Sequence, residues 1–256
     1  LTEHLFRFRQ ADELLRGFWD DDPDERLRAS MTRYWDDHAH ADLDSYVSCV
    51  LEAKSEGLPV VLGLEVDYYP GRMEKVADLL AGYPFDVLLG SVHWIGIWRF
   101  DDLADPVSMS GWSARDVDSA WDAYTGAIEE LAASGTCDVL AHPDLVKVAG
   151  HRPVHPEECW ERLAEAAASS GMAAELSSAG WTKPVKEMYP GPELLERLVA
   201  KGVPLTTASD AHELGNVAHR VADIAAALER FHVDTLRAFR RRRPVTVQLS
   251  ASAGRP

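Results

Sequence analysis

The feature that most constrains this chain is a repeated order of elements. A short apolar run comes first, then a turn, then a helix stopped by a glycine. Leu58 to Val66 (LPVVLGLEV), Phe85 to Val92, Cys137 to Ala141, Ala173 to Ser177 and Pro204 to Ser209 have the composition of buried parallel strands. Helices are predicted over Asp42 to Glu56, Arg72 to Ala81, Ser113 to Ser134 (with Ser113 as N-cap), Pro156 to Ser170 and Pro192 to Lys201. Gly57, Gly135, Gly171 and Gly202 follow as stops. Leu214 to Phe231 and Asp234 to Arg242 also read as helical, and Pro244 to Leu249 as a last strand. Asp101 to Gly111 reads as a loop on the strand-end side, either a lid or an ordinary surface loop. Such alternation implies an α/β fold, with a parallel sheet covered by helices. The sequence shows no repeat and no domain boundary, so residues 1–256 are expected to form a single domain, and 256 residues suit one α/β barrel.

Composition narrows the classes of function. An apolar fraction of 46% and a charged fraction of 27% are those of a globular protein. No apolar run reaches the length of a membrane span and no signal segment is visible, so a cytoplasmic protein without a membrane partner is expected. A formal net charge of -16 argues against nucleic acid as partner. The basic run Arg237 with Arg240 to Arg243 reads as the cationic end of a helix. Cys49, Cys137 and Cys159 are widely spaced and read as reduced thiols without a metal role.

The chemistry gathers where strands end. Leu58 to Leu64 leads into Glu65, and Phe85 to Val92 into His93. Cys137 to Ala141 leads into His142, and Pro204 to Ser209 into Asp210-Ala211-His212. In a barrel the C-terminal strand ends share one rim, so these residues are expected to converge. Imidazole with carboxylate suits zinc, manganese or iron(II), and a carboxylate such as Glu65 can bridge two ions. His38-Ala39-His40 is an HxH pair with no strand leading into it and is set aside. His151 and His155 flank Pro153 after His142 and are placed to face the site, whereas His219 and His232 read as surface or packing residues. No nucleophile elbow or P-loop is present.

Taken in order, Thr2-Glu3-His4, Gly63 to Tyr68 (GLEVDY), Gly90 to His93 (GSVH), Ala141 to Asp144 (AHPD) and Ser209 to His212 (SDAH) resemble the motifs of the PHP (polymerase and histidinol phosphatase) superfamily. Gly180 to Pro190 and His142 to Pro153 resemble its histidinol-phosphatase branch. The resemblance covers nearly the whole chain. It implies a distorted (β/α)7 barrel with up to three divalent metal ions. On that basis Glu65 would bridge two ions, His93 and His142 would complete one, Asp210 would serve the other, and His4 and His212 a third. The implied reaction is hydrolysis of a small phosphorylated substrate, L-histidinol phosphate in this branch, within histidine biosynthesis. The alternatives are a PHP phosphoesterase for another small phosphate ester and a non-catalytic metal-binding relative.

One departure is evident. The family pattern opens with a strand ending in Asp-x-His-x-His, and no such motif stands ahead of Thr2-Glu3-His4. Since the chain starts at Leu1, an N-terminal piece including that first strand is expected to be missing from it. For the reaction, Lys147, Arg152 and Lys183 are candidate phosphate contacts in loops after strands. Asp210 and His212 are candidate catalytic groups able to protonate the leaving oxygen, and the sequence does not choose between them.

Overall fold

The computed structural model describes residues 1–249. Strand β1 (Thr2–His4) leads into α1 (Arg9–Leu15), α2 (Glu25–His38) and α3 (Leu43–Ser55). Then β2 (Gly63–Asp67), α4 (Met73–Ala81), β3 (Val87–Ser91), α5 (Pro106–Ala114), α6 (Val117–Ala133) and β4 (Val139–Leu140) follow. Next come α7 (Glu157–Ser170), β5 (Ala173–Ser177), α8 (Pro192–Ala200), β6 (Leu205–Ala208) and α9 (Val221–Arg230). Finally, β7 (Thr235–Arg240) and β8 (Arg243–Gln248) form a hairpin.

Six strands, β1 to β6, lie side by side in chain order and pair in parallel throughout. The α/β alternation is therefore as expected. β2 is buried along its whole length, including its two carboxylates, Glu65 and Asp67, which lie inside the covered sheet. Gly63 opens it because a Cβ there would stand 2.8 Å from Val87 Cγ1 and 2.9 Å from Thr2 Cγ2 on the two flanking strands. The sheet curls strongly. β1 and β6 are its opposite edges, yet His4 Nε2 lies 3.5 Å from His212 Nε2 just beyond β6. The result is a half-barrel in which β1 and β6 face each other without pairing among the described residues.

Several expectations about elements are corrected. Residues 234–242 are not a helix: Thr235–Arg240 is a strand paired antiparallel with β8, and the basic run is the turn of that hairpin. Arg241 and Arg242 form its two-residue loop, with φ of 48° and 60°. Such loops ordinarily use Asn-Gly, which explains why the sequence concealed this one. The expected last strand exists as β8, but it is outside the parallel sheet. Part of the expected loop 101–111 is helical, because Asp105 caps α5 by accepting from the Val107 N–H at 3.0 Å. Ser113 lies inside α5, and α6 begins instead at Asp116, which accepts from the Ser119 N–H. The helix expected from Leu214 begins at Val221, after positive φ at Ala218 and Arg220 interrupts it. α1 and α2 occupy a stretch to which the sequence pattern assigned nothing, and α2 starts on the Asp24 cap.

Candidate metal centre

Pairing register brings the first groups together. His4 at the end of β1 is the direct neighbour of Glu65 in β2. His93 lies two residues beyond β3, His142 two beyond β4, and Asp210 two beyond β6. Glu65 is the hub. Its Oε1 is 2.9 Å from His142 Nε2 and 3.4 Å from His93 Nε2, and its Oε2 is 3.8 Å from His4 Nδ1. The Glu65 side chain is 6% exposed. An isolated carboxylate so buried would be costly, and the three imidazoles offset that cost. Burial pushes its carboxyl pKa up, but His4, His142 and His93 prevail and hold it well below the ordinary 4.5. Burial pulls His93 down, yet Asp67, Asp101 and Glu65 together raise it to about 10. His142 is likewise raised, by Glu65 against its own burial.

Neighbouring carboxylates fix the imidazoles. His93 Nδ1 donates to Asp67 Oδ1 at 2.5 Å, which turns Nε2 to the side of Glu65. The two carboxylates stand two residues apart on β2 and so share a face. His142 holds a φ of 24° and Asp210 a φ of 47°, both in the left-handed region. Such a backbone costs on the order of 1–3 kcal/mol and persists where the surroundings enforce it. For His142 the enforcement is Glu175, whose buried carboxylate accepts the His142 N–H at 3.0 Å. Burial above all, with Asp210 and Glu65 nearby, pushes Glu175 up to about 7.

The residues present fit a metal ion. One ligand atom each from His4, Glu65 and His93 lies within 4.8 Å of the others. The His4 Nδ1 atom is buried and has no hydrogen-bond partner, although it faces Glu65 Oε2. An orphaned imidazole nitrogen beside a buried carboxylate is the donor arrangement that a divalent cation satisfies. Asp210 and His212 stand at the same mouth. His212 Nδ1 is 3.7 Å from Asp210 Oδ1, and its side chain is 61% exposed. A cleft of about 180 Å³ runs over His4, His93, His142, Asp210 and His212. A second cavity of about 540 Å³, lined by residues of both edge strands, reaches Glu65 and Glu175. A larger cavity, about 910 Å³, lies under the hairpin beside Lys54 and Asp86 and contains none of these groups.

The PHP domain family model matches residues 36–179, more than half of the chain and inclusive of Glu65, His93 and His142. The chain belongs to the PHP domain family. A curated relative from Deinococcus radiodurans named "Probable histidinol-phosphatase" is 37% identical over 166 residues, which cover 65% of this chain and 62% of the relative. The match therefore spans less than two thirds of that relative's length. The fold is similar to that of histidinol phosphate phosphatase from Lactococcus lactis, solved with zinc, L-histidinol and phosphate. The TM-score is 0.65 at 17% identity over 80% of each chain. A candidate histidinol phosphatase from Listeria monocytogenes gives a TM-score of 0.65 at 15% identity, over 87% of this chain and 98% of that one. These structural likenesses bear on the fold.

The PHP site also shows where the other named residues went. Lys147, expected at the phosphate, has a side chain of 0% exposure and is a structural cation instead. Its Nζ is 2.7 Å from Asp144 Oδ2, 2.6 Å from Glu187 Oε2 and 2.8 Å from the Met188 carbonyl, so its three donors are occupied. Arg152 donates to Glu187 at 2.6 Å and does not line the cleft. Lys183 does line it, exposed, beside Asp210 and His212. His38 ends α2 and donates from Nδ1 to the Tyr34 carbonyl at 2.7 Å. His151 stacks on Trp112 rather than facing the site. Sequence reasoning passed over Arg7, Tyr34 and Asp101, which line the cleft, over Asp67, which holds the His93 imidazole, and over Glu175, which holds the His142 backbone.

Proposed function

We propose that the chain is a metal-dependent phosphomonoesterase that hydrolyses L-histidinol phosphate to L-histidinol and phosphate. The observation that carries this reading is the convergence of His4, His93 and His142 on the buried Glu65, with Asp210 and His212 at the mouth of the same cleft. The name of the Deinococcus relative and the ligands of the Lactococcus enzyme support the choice of substrate.

His4, Glu65, His93 and His142 would hold divalent metal, with Asp210 and His212 extending the site toward further ions. Bound there, divalent metal supplies charge neutralisation on phosphoryl oxygens and an acidified water near neutral pH. The remaining work falls to side chains. Asp67 fixes the His93 ring, and Glu175 holds the His142 backbone that carries the second imidazole. Lys183 and Arg7 at the cleft supply positive charge to the phosphoryl group. Water oxygen loses a proton and bonds to phosphorus, the bond from phosphorus to the alkyl oxygen breaks, and that oxygen takes a proton, so that the alcohol and phosphate account for every atom. Asp210 and His212, side by side at the mouth, are the two groups that would give that proton to the departing alcohol.

The test is phosphate release from L-histidinol phosphate by the full natural chain, with manganese or zinc and with a chelator control. Chelator-sensitive turnover is expected. Full metal occupancy without turnover, alongside hydrolysis of another phosphate ester in a panel, would reassign the substrate within the PHP family.

A further inference from the structure

Around the cleft, acidic side chains are almost all committed. Asp67 is bound to His93, Asp102 and Asp105 to Arg99, Glu187 to Lys147 and Arg152, and Glu65 to the imidazoles. Asp101 is different. It is half-buried and lines the cleft with His93, Tyr34, Arg7 and Lys183. Among the described residues its carboxylate has no hydrogen-bond or ion-pair partner, and only its charge reaches His93, which it helps to raise. The cation nearest in sequence does not serve it. The Arg99 guanidinium is held by Asp102, by Asp105 at 2.7 Å and by the face of the Tyr34 ring at 4.2 Å. Next to Asp101 the cleft wall is aromatic, formed by Tyr34 and Phe6 with ring centroids 5.1 Å apart.

A carboxylate left unpaired in a confined cleft is costly, and it is tolerated where a cation arrives from outside. The same cleft carries Lys183 and Arg7, which suit an anion. Its polarity therefore matches a molecule with negative charge at one end and positive charge near it. We propose that Asp101 receives a protonated nitrogen of the substrate, so that the cleft selects phosphate esters of amino alcohols over uncharged esters. The proposal rests on the phosphomonoesterase reading above and assigns to Asp101 a role in specificity. Phe6 and Tyr34 pack against the carbon part of the same group. A site built to pair a substrate charge rejects an analogue that lacks it, because the site's own group is then stranded.

The experiment uses the full natural chain loaded with metal, as wild type, Asp101→Asn and Asp101→Glu. kcat/KM is measured for L-histidinol phosphate and p-nitrophenyl phosphate, together with bound metal and the affinities for L-histidinol and inorganic phosphate. Asp101→Asn is expected to lose roughly ten- to hundred-fold in kcat/KM for L-histidinol phosphate, mainly through KM, as for a hydrogen bond to a charged group. The loss on p-nitrophenyl phosphate is expected to be smaller by about tenfold or more. L-Histidinol should bind more weakly, inorganic phosphate should bind as before, and metal content should hold. Asp101→Glu should recover part of the preference. Equal losses on both esters, loss of metal, or no change overturn the proposal. If the wild type ignores L-histidinol phosphate but hydrolyses other esters, the substrate reading alone fails. Asp101 is then judged by the same comparison between phosphoethanolamine and ethyl phosphate. Turnover of no ester overturns both.

Discussion

With a carboxylate oxygen 2.5 Å from Nδ1, His93 keeps that nitrogen protonated and its Nε2 turned to the side of Glu65. Asp67 therefore sets the tautomer as well as the ring angle. Replacing it with asparagine keeps an acceptor but removes the charge that makes Nε2 more basic. Asp67→Asn is expected to weaken divalent-metal affinity by roughly 10- to 100-fold, read by competition with a chromophoric chelator. Unchanged affinity would mean that His93 needs no such support. Glu175 acts on the backbone rather than the ring. Without it the His142 N–H is left unpaired at a strained φ. Glu175→Ala should cost about 1–3 kcal/mol in denaturant unfolding, and an unmoved midpoint would place the restraint elsewhere. Asp67 was legible in principle, since two steps along a strand return to the same face as Glu65. Glu175 also left a trace, a charge inside the apolar strand AAELS. Asp101 left none, because nothing in a loop sequence marks a carboxylate as unpaired.

The β7–β8 hairpin shows how an element can depend on contacts far away in sequence. Two arginines at positive φ make a poor turn by themselves. The turn holds because Asp86 and Asp138 receive it. Arg241 N–H donates to Asp86 Oδ1 at 3.1 Å, Arg242 N–H to the Asp86 carbonyl at 2.8 Å, and Arg242 Nε to Asp138 Oδ2 at 2.9 Å. Asp86 also accepts from Lys54 and from the Leu62 N–H. Burial raises the Asp86 pKa, but these bonds win and hold it below its ordinary 3.8. A carboxylate depressed by folding stabilises the fold above its unfolded value. That contribution is lost as pH falls below 3.8 through the folded value. Asp86→Asn should therefore lower stability at neutral pH by about 1–3 kcal/mol and flatten the acid limb of the stability curve. Parallel acid limbs for wild type and variant would exclude Asp86 as the titrating group. The strands β2, β3 and β5 were legible because burial on both faces leaves them mostly apolar, with carboxylates only where the site needs them. The hairpin was not, because its turn is stabilised by residues about a hundred or more positions away.

At the scale of the whole molecule, the metal site and the fold depend on each other. Its candidate ligands come from the middle of β2 and from the ends of β1, β3, β4 and β6, so they span the curled sheet from one edge strand to the other. His4 and His212 meet across the gap where β1 and β6 do not pair. A divalent ion held by both edges would tie the half-barrel shut, with coordination bonds in place of strand pairing. Anything that binds only the folded state stabilises it by mass action, about 2.7 kcal/mol at a hundred times Kd. For a chain of this size that corresponds to a rise in Tm of roughly 5–10 °C. Zinc or manganese should thus raise the Tm of the chelator-stripped protein in a concentration-dependent way. His212→Ala should blunt the rise while leaving the metal-free Tm near wild type, because that side chain is largely exposed. Two results separate the possibilities. A metal-induced rise that is the same in His212→Ala would confine binding to His4, Glu65, His93 and His142, and the β6 edge would then be free of it. No rise in either protein would mean that the buried carboxylate and imidazoles hold one another by proton-mediated pairing alone, and the metal reading of the cluster would fall.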